Sequence, residues 1–157
     1  LQVIQWFSNH LESSCNNGDL ASRSWCSLAA TMSGVAYSNS HPNVCHAIGR
    51  PLTLFWEIAH GQAVGITLPS MLRWTAPAIS HKLPALWDAL GVNGLEEATG
   101  RIVQIMYNCG LKTSLSSLGI NPDGIETLVE HTRWDRVSAL PAPLGHGDLR
   151  MLLRDLL

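Results

Sequence analysis

From residue 60 to residue 80 the chain reads HGQAVGITLPSMLRWTAPAIS, apolar nearly all round, with Pro69 inside it. A helix of that kind is stable only where other elements cover it, so it belongs in a core. Pro69 lacks an N–H and crowds the preceding turn, which predicts a bend near Gly65. The remaining residues must wrap this segment, and their patterns suit helices.

Leu1, Ile4, Phe7 (or Trp6) and Leu11 fall on one helical stripe, which Asn16-Asn17-Gly18 should stop. Asp19 suits the N-cap of a second helix running through Trp25, Leu28 and Met32 to about Tyr37. Its small residues Ala29, Ala30, Ser33, Gly34 and Ala36 would let neighbouring helices come close. Ser38 to Ser40 reads as a break, and Pro42 suits a first helical position before a short helix carrying Val44, Cys45, His46, Ala47 and Ile48. Pro51 to Ala59 reads as the end of that helix and a loop. Further helices are expected at 82–90, 94–109, 122–131 and 147–156, with Asn121-Pro122 and Gly147-Asp148 as starts for the last two. No alternating strand pattern of useful length, internal repeat or low-complexity stretch occurs. The fold class is all-α, a single helical domain over residues 1–157. No Met, cap residue or turn precedes Leu1, so the first stripe begins in mid-stride. The expectation is a chain whose upstream part has been removed or lost.

Charged residues make up only 14% of the chain and the net charge is −2, with no cluster of Lys or Arg. The electrostatic footprint of a nucleic-acid binder is absent. No apolar run reaches bilayer length and no signal-peptide pattern is present. The four cysteines (Cys15, Cys26, Cys45 and Cys109) form no C-x-x-C pair, which fits reduced thiols in a cytoplasmic protein.

Of seven histidines, two stand out by their surroundings. His46 lies between Cys45 and Ala47, and His60 opens the apolar segment with Gly61 behind it. A buried imidazole needs partners for its nitrogens, and either ordinary hydrogen bonds or a shared metal ion would supply them. Glu57-Ile58-Ala59-His60 spells the Glu-x-x-His of di-iron bundles, but those need a second copy and two more Glu. Cys45 and His46 are neighbours, point about 100° apart on a helix, and would not share one zinc.

The run CHAIGRPLTLFWEIAHGQAVGITLPSMLRW, residues 45–74, resembles the signature stretch of the iron-containing (group III) alcohol dehydrogenases. In that family a His is followed fourteen residues later by a His-Gly opening a long helix that ends in Leu-Pro. Here these are His46, His60-Gly61 and Leu68-Pro69. Asp19-Leu20-Ala21-Ser22-Arg23 and Leu118-Gly119-Ile120 extend the resemblance more loosely. It implies the all-α C-terminal domain of the iron-dependent alcohol dehydrogenase / dehydroquinate synthase-like fold. It also implies Fe²⁺ (or Zn²⁺) held by one Asp and three His, the last two matching His46 and His60. The other two ligands would lie upstream of Leu1. NAD(P) would be bound by an N-terminal nucleotide-binding domain absent from this chain, which itself has no Gly-rich phosphate loop.

Arg50 stands where many members carry another His and some carry Tyr. It is the candidate catalytic residue of this chain, suited to an anionic substrate group or a cofactor phosphate; the alternative is a surface arginine after a helix end. The implied activity is NAD(P)-dependent alcohol dehydrogenation or aldehyde reduction on a small substrate, in a homo-oligomer, with the isolated chain inactive. A stand-alone helical interaction module descended from that domain is the alternative. Trp25, Trp56 and Trp74 read as structural, with Trp56 also a candidate for the cleft wall.

Overall fold

Among the described residues, helices account for all the regular structure and no strand occurs. The computed structural model describes residues 1–40 and 44–157, so the helix start expected at Pro42 lies outside the described residues. In chain order the α-helices are α1 (Gln2–Asn16), α2 (Leu20–Ser38), α3 (Val44–Trp56), α4 (His60–Gly65) and α5 (Leu68–Thr75). They continue with α6 (Leu83–Leu90), α7 (Leu95–Asn108), α8 (Pro122–His131), α9 (Trp134–Val137) and α10 (His146–Arg154). Short 3₁₀ segments occupy Ala76–Lys82 and Ser116–Leu118. The chain divides into two compact units, one of residues 1–41 and 79–110, the other of residues 42–78 and 111–157.

In the first unit, Asp19 caps α2 as expected, accepting from the backbone N–H groups of Ala21 at 3.2 Å and Ser22 at 3.0 Å. The Ser22 side chain, then its backbone N–H, holds the Asp19 carboxyl below its ordinary range. The stability that this cap contributes is present above the unfolded-state pKa and is lost as pH falls through the folded one. Trp25 on α2 packs between Trp6, at 5.4 Å between ring centroids, and His10, stacked at 5.7 Å. Of the small residues of α2, only Ala29 is buried among the five expected to aid packing, and the helix shows an open apolar face. Trp25, Leu28, Met32 and Val35, at the three-and-four spacing of helix pairing, are 40%, 43%, 43% and 54% exposed. Leu1 is exposed, whereas Ile4 and Phe7 are half-covered. A face of this kind drives association. Light scattering on the purified chain is therefore expected to show self-association that weakens when Met32 and Val35 are both changed to Gln; a monomer at high concentration would contradict this.

The second unit holds the large aliphatic core. Val44, Ile48 and Leu52 of α3 share this core with Ile66, Ile120, Ile125, Leu128, Leu149 and Leu153, all nearly inaccessible. Each contributes roughly 1.5–3 kcal/mol through burial. Two expectations meet their outcome here. The end of α3 and a loop share residues 51–59 as expected, and the helix runs on to Trp56 because the unit supplies a partner for the carbonyl that Pro51 orphans: the Arg133 backbone N–H reaches Ala47 O at 3.4 Å. The 60–80 segment does bend at Ile66-Thr67, but it splits into α4, α5 and a 3₁₀ run instead of one covered helix. Pieces this short bury one face: Ala63, Ile66, Pro69 and Met71 point inward, while Gly61, Leu68 and Arg73 are exposed. α10 begins at His146 because the Asp148 carboxylate takes the Gly145 N–H at 2.9 Å, fixing Gly145 as the cap.

Candidate metal centre

α3 enters the site with His46 in its first turn and leaves it at Trp56. The exit is a tight turn: Glu57 adopts the left-handed region at φ 55°, and the Ile58 N–H returns to Leu52 O at 3.4 Å. That turn reverses the chain so that α4 begins with His60 beside the start of α3. It also removes the Glu-x-x-His alternative, because Glu57 sits in the turn and not on the helix that carries His60.

The two imidazoles face each other, with ring centroids 5.5 Å apart and planes at 58°. What allows this approach is Gly49, one turn after His46 on the buried side of α3. A Cβ there would stand 3.0 Å from the Ala63 carbonyl oxygen and 3.1 Å from Val64 Cγ2. Only a residue without a side chain lets the two helices touch backbone to backbone. α4 is fixed from its other side by Gln62, which is itself buried. Its amide donates to Lys112 O at 2.9 Å and accepts the Lys112 N–H at 2.8 Å.

His46 is half-buried and His60 exposed. Loss of hydration, then the proximity of His60, lowers the His46 pKa below that of an ordinary histidine. The proton therefore leaves His46 at lower pH, and the neutral imidazole that a metal requires persists further into the acid range. A nitrogen from each ring would suit a divalent first-row ion with bonds near about 2.0–2.1 Å. No group of three or more His, Cys, Asp or Glu is arranged for a metal among the described residues, so His46 and His60 would form part of a coordination shell. Cys45 is not part of it: burial pushes its thiol pKa up, and its sulfur lies against the Thr67 hydroxyl.

Arg50 follows His46 by one helical turn, hence on the same side of α3. It is exposed and forms no ion pair among the described residues. Trp56 packs on the first turn of α8, its Cζ2 lying 3.0 Å from where a Gly124 Cβ would stand. Phe55 meets His131 edge-on at 4.7 Å. Trp74 donates to Pro143 O at 3.2 Å, a structural anchor as expected. Gly49 and Gln62 went unremarked in the sequence. Their only signals are a glycine on an otherwise branched helix face and a lone amide in an apolar run.

The family model for the C-terminal part of the Fe-containing alcohol dehydrogenases matches residues 1–157. A long-chain primary alcohol dehydrogenase of Thermoanaerobacter ethanolicus is 24% identical over 82% of this chain and 34% of its own. A phosphonoacetaldehyde reductase of Streptomyces viridochromogenes is 42% identical, over 43% of this chain and 16% of its own. Among solved structures, a 1,3-propanediol oxidoreductase superposes with a TM-score of 0.90 at 20% identity, covering 99% of this chain and 44% of that one. An alcohol dehydrogenase of Oenococcus oeni gives 0.88 at 19%, covering 99% and 43%. The chain thus spans well under half the length of the proteins that it matches.

Proposed function

The chain belongs to the Fe-containing alcohol dehydrogenase family, matching its C-terminal part, and we propose that it is the helical, metal-binding half of an NAD(P)-dependent alcohol dehydrogenase or aldehyde reductase. The observation that carries this reading is the facing pair His46 and His60, at 5.5 Å, held by the Gly49 contact. In this reading the 157 residues act as one helical part, and a nucleotide-binding domain supplies the nicotinamide and the rest of the metal shell. His46 and His60 would hold the ion. When bound, it would supply a Lewis acid for a substrate oxygen at the carbon exchanging hydride with the nicotinamide.

The chain's own residues then have distinct tasks. His46 stays neutral by desolvation and so remains a donor at neutral pH. Gly49 and Gln62 set the distance between the two ligand helices. Arg50 projects a permanent positive charge beside His46 and suits a substrate with an anionic group close to its aldehyde carbon. The relative named a phosphonoacetaldehyde reductase is consistent with that class. In a complete two-domain enzyme, Arg50→Met is expected to lower kcat/KM for phosphono- or carboxy-substituted aldehydes by roughly tenfold to a hundredfold. Propanal should be reduced nearly as before. Equal losses on both substrates would remove Arg50 from substrate recognition.

The test of the main reading is iron-dependent aldehyde reduction by the two-domain enzyme, with this chain alone as the comparison. Alone, the chain is expected to show no turnover with NAD(P)H, Fe²⁺ or Zn²⁺ and small aldehydes, because it offers two ligands and no phosphate-binding loop. Turnover by the 157 residues that disappears in His60→Ala would mean that this chain is an enzyme by itself.

A further inference from the structure

Away from the imidazole pair, three of the four cysteines gather in the first unit. The last turns of α1 and α7 are clamped together there. Asn16 donates to Asn108 O at 3.0 Å, and the Asn108 amide donates to Glu12 Oε2 at 2.6 Å. Arg101 of α7 completes the clamp, paired with Glu12 at 2.6 Å and donating to Ser8 O at 2.8 Å. Cys15 adjoins Asn16, and Cys109 adjoins Asn108, so the clamp carries one thiol on each side. Both are free; Cys15 is exposed and Cys109 half-buried. The Cys15 thiol lies against that of Cys109, with Cys26 of α2 and Glu12 also nearby.

We propose that Cys15 and Cys109 form an oxidation site, joining in a disulfide when the protein meets a hydroperoxide. Cys15, the exposed thiol, meets the oxidant. Its sulfur attacks a peroxide oxygen, the O–O bond breaks, and the leaving hydroxide takes up a proton as water, which leaves Cys15 as the sulfenic acid. Cys109 then gives up its proton, and its sulfur attacks the Cys15 sulfur. The S–O bond breaks and a second water leaves. Two thiols are oxidised and one peroxide is reduced to two waters.

Burial, followed by the contact with Cys15 and the charges of Cys15, Glu12 and Cys26, pushes the Cys109 thiol up to about 11. Of the groups around it, Glu12 is paired with Arg101, so that carboxylate's charge is already engaged. Cys109 therefore stays protonated at neutral pH, and its attack is the slow step. The link should form roughly tenfold faster per pH unit as the thiolate fraction grows. It fastens α1 to α7 across most of the first unit and so raises the unfolding midpoint.

The experiment is hydrogen peroxide treatment of the native chain at several pH values, alkylation of remaining thiols with N-ethylmaleimide, and non-reducing peptide mapping. The expected product is a linked Cys15–Cys109 peptide lacking two hydrogens, faster to form at higher pH and cleaved by a thiol reductant. Cys26→Ser should leave it intact, and Cys109→Ser should let Cys15 accumulate as a dimedone-reactive sulfenic acid. A Cys15–Cys26 peptide in place of it would overturn the assignment. So would full alkylation of Cys109 after Cys15 has been oxidised, a result that the unmutated chain alone can give.

Discussion

Replacing His60 with alanine is expected to remove metal from a complete enzyme and, with it, all measurable aldehyde reduction. Loss of a residue that only supports a ligand costs about 10–100-fold in metal affinity, so loss of a ligand should cost at least about a hundredfold. His46→Ala should behave alike. Neither change should disturb the helices. His60 is exposed and His46 half-buried, while the side chains that hold the unit together are Val44, Ile48, Leu52 and Ile66. The measurement is metal content per chain after dialysis, beside circular dichroism. The isolated chain permits a second version, with Co²⁺ as a spectroscopic probe of a weaker two-ligand site. There the affinity should fall with acid, since protons compete with the ion for His46. Because the His46 pKa is lowered, proton competition at that ring should begin below the range of an ordinary histidine. Retention of metal by both variants would place the ion elsewhere and leave the imidazole pair without a function.

The features that could be read in the sequence were those set by local chemistry. Asp19 as a cap, the stop at Asn16-Asn17-Gly18, the bend before Pro69 and the start at Asn121-Pro122 each depend on a few adjacent residues, and the structure has them all. The spacing of His46 and His60 was legible for the same reason, through its likeness to a family pattern. What escaped depends on contacts distant in sequence. How far α3 runs past Pro51 could not be fixed, because its lost hydrogen bond is visible locally, whereas the compensating N–H of Arg133 is eighty-six residues after Ala47. α9 and the turn at Ser116–Leu118 are too short to have a period. The five small residues singled out on α2 permit close packing, yet only Ala29 of them is buried, since small size states that a helix can be approached and not what approaches it.

Gly49 carries the second large effect, and it connects packing to the metal. Gly49→Val would place a branched side chain where the Ala63 carbonyl carbon and oxygen already stand 3.1 and 3.0 Å from the first added carbon. Those are backbone atoms and cannot rotate aside as a side chain would, so the two helices must part. Overfilling a packed contact costs typically 1–3 kcal/mol, and a branched residue against backbone belongs at the upper end, about 3 kcal/mol. The displacement also falls on the ligands. His46 lies one turn before Gly49, and His60 one turn before Ala63, so separating the helices at that contact pulls the two rings apart. Because Gln62 anchors α4 to Lys112 from the far side, α4 cannot follow α3 without breaking two hydrogen bonds. Gly49→Ala should do the same more mildly. The expected result is a graded series in which the urea midpoint and metal affinity fall together from Gly to Ala to Val. Gly65→Ala, where an added Cβ meets nothing within 4 Å, should change metal affinity little. A Gly49→Val protein that is destabilised yet binds metal as before would show that the close approach serves only the core.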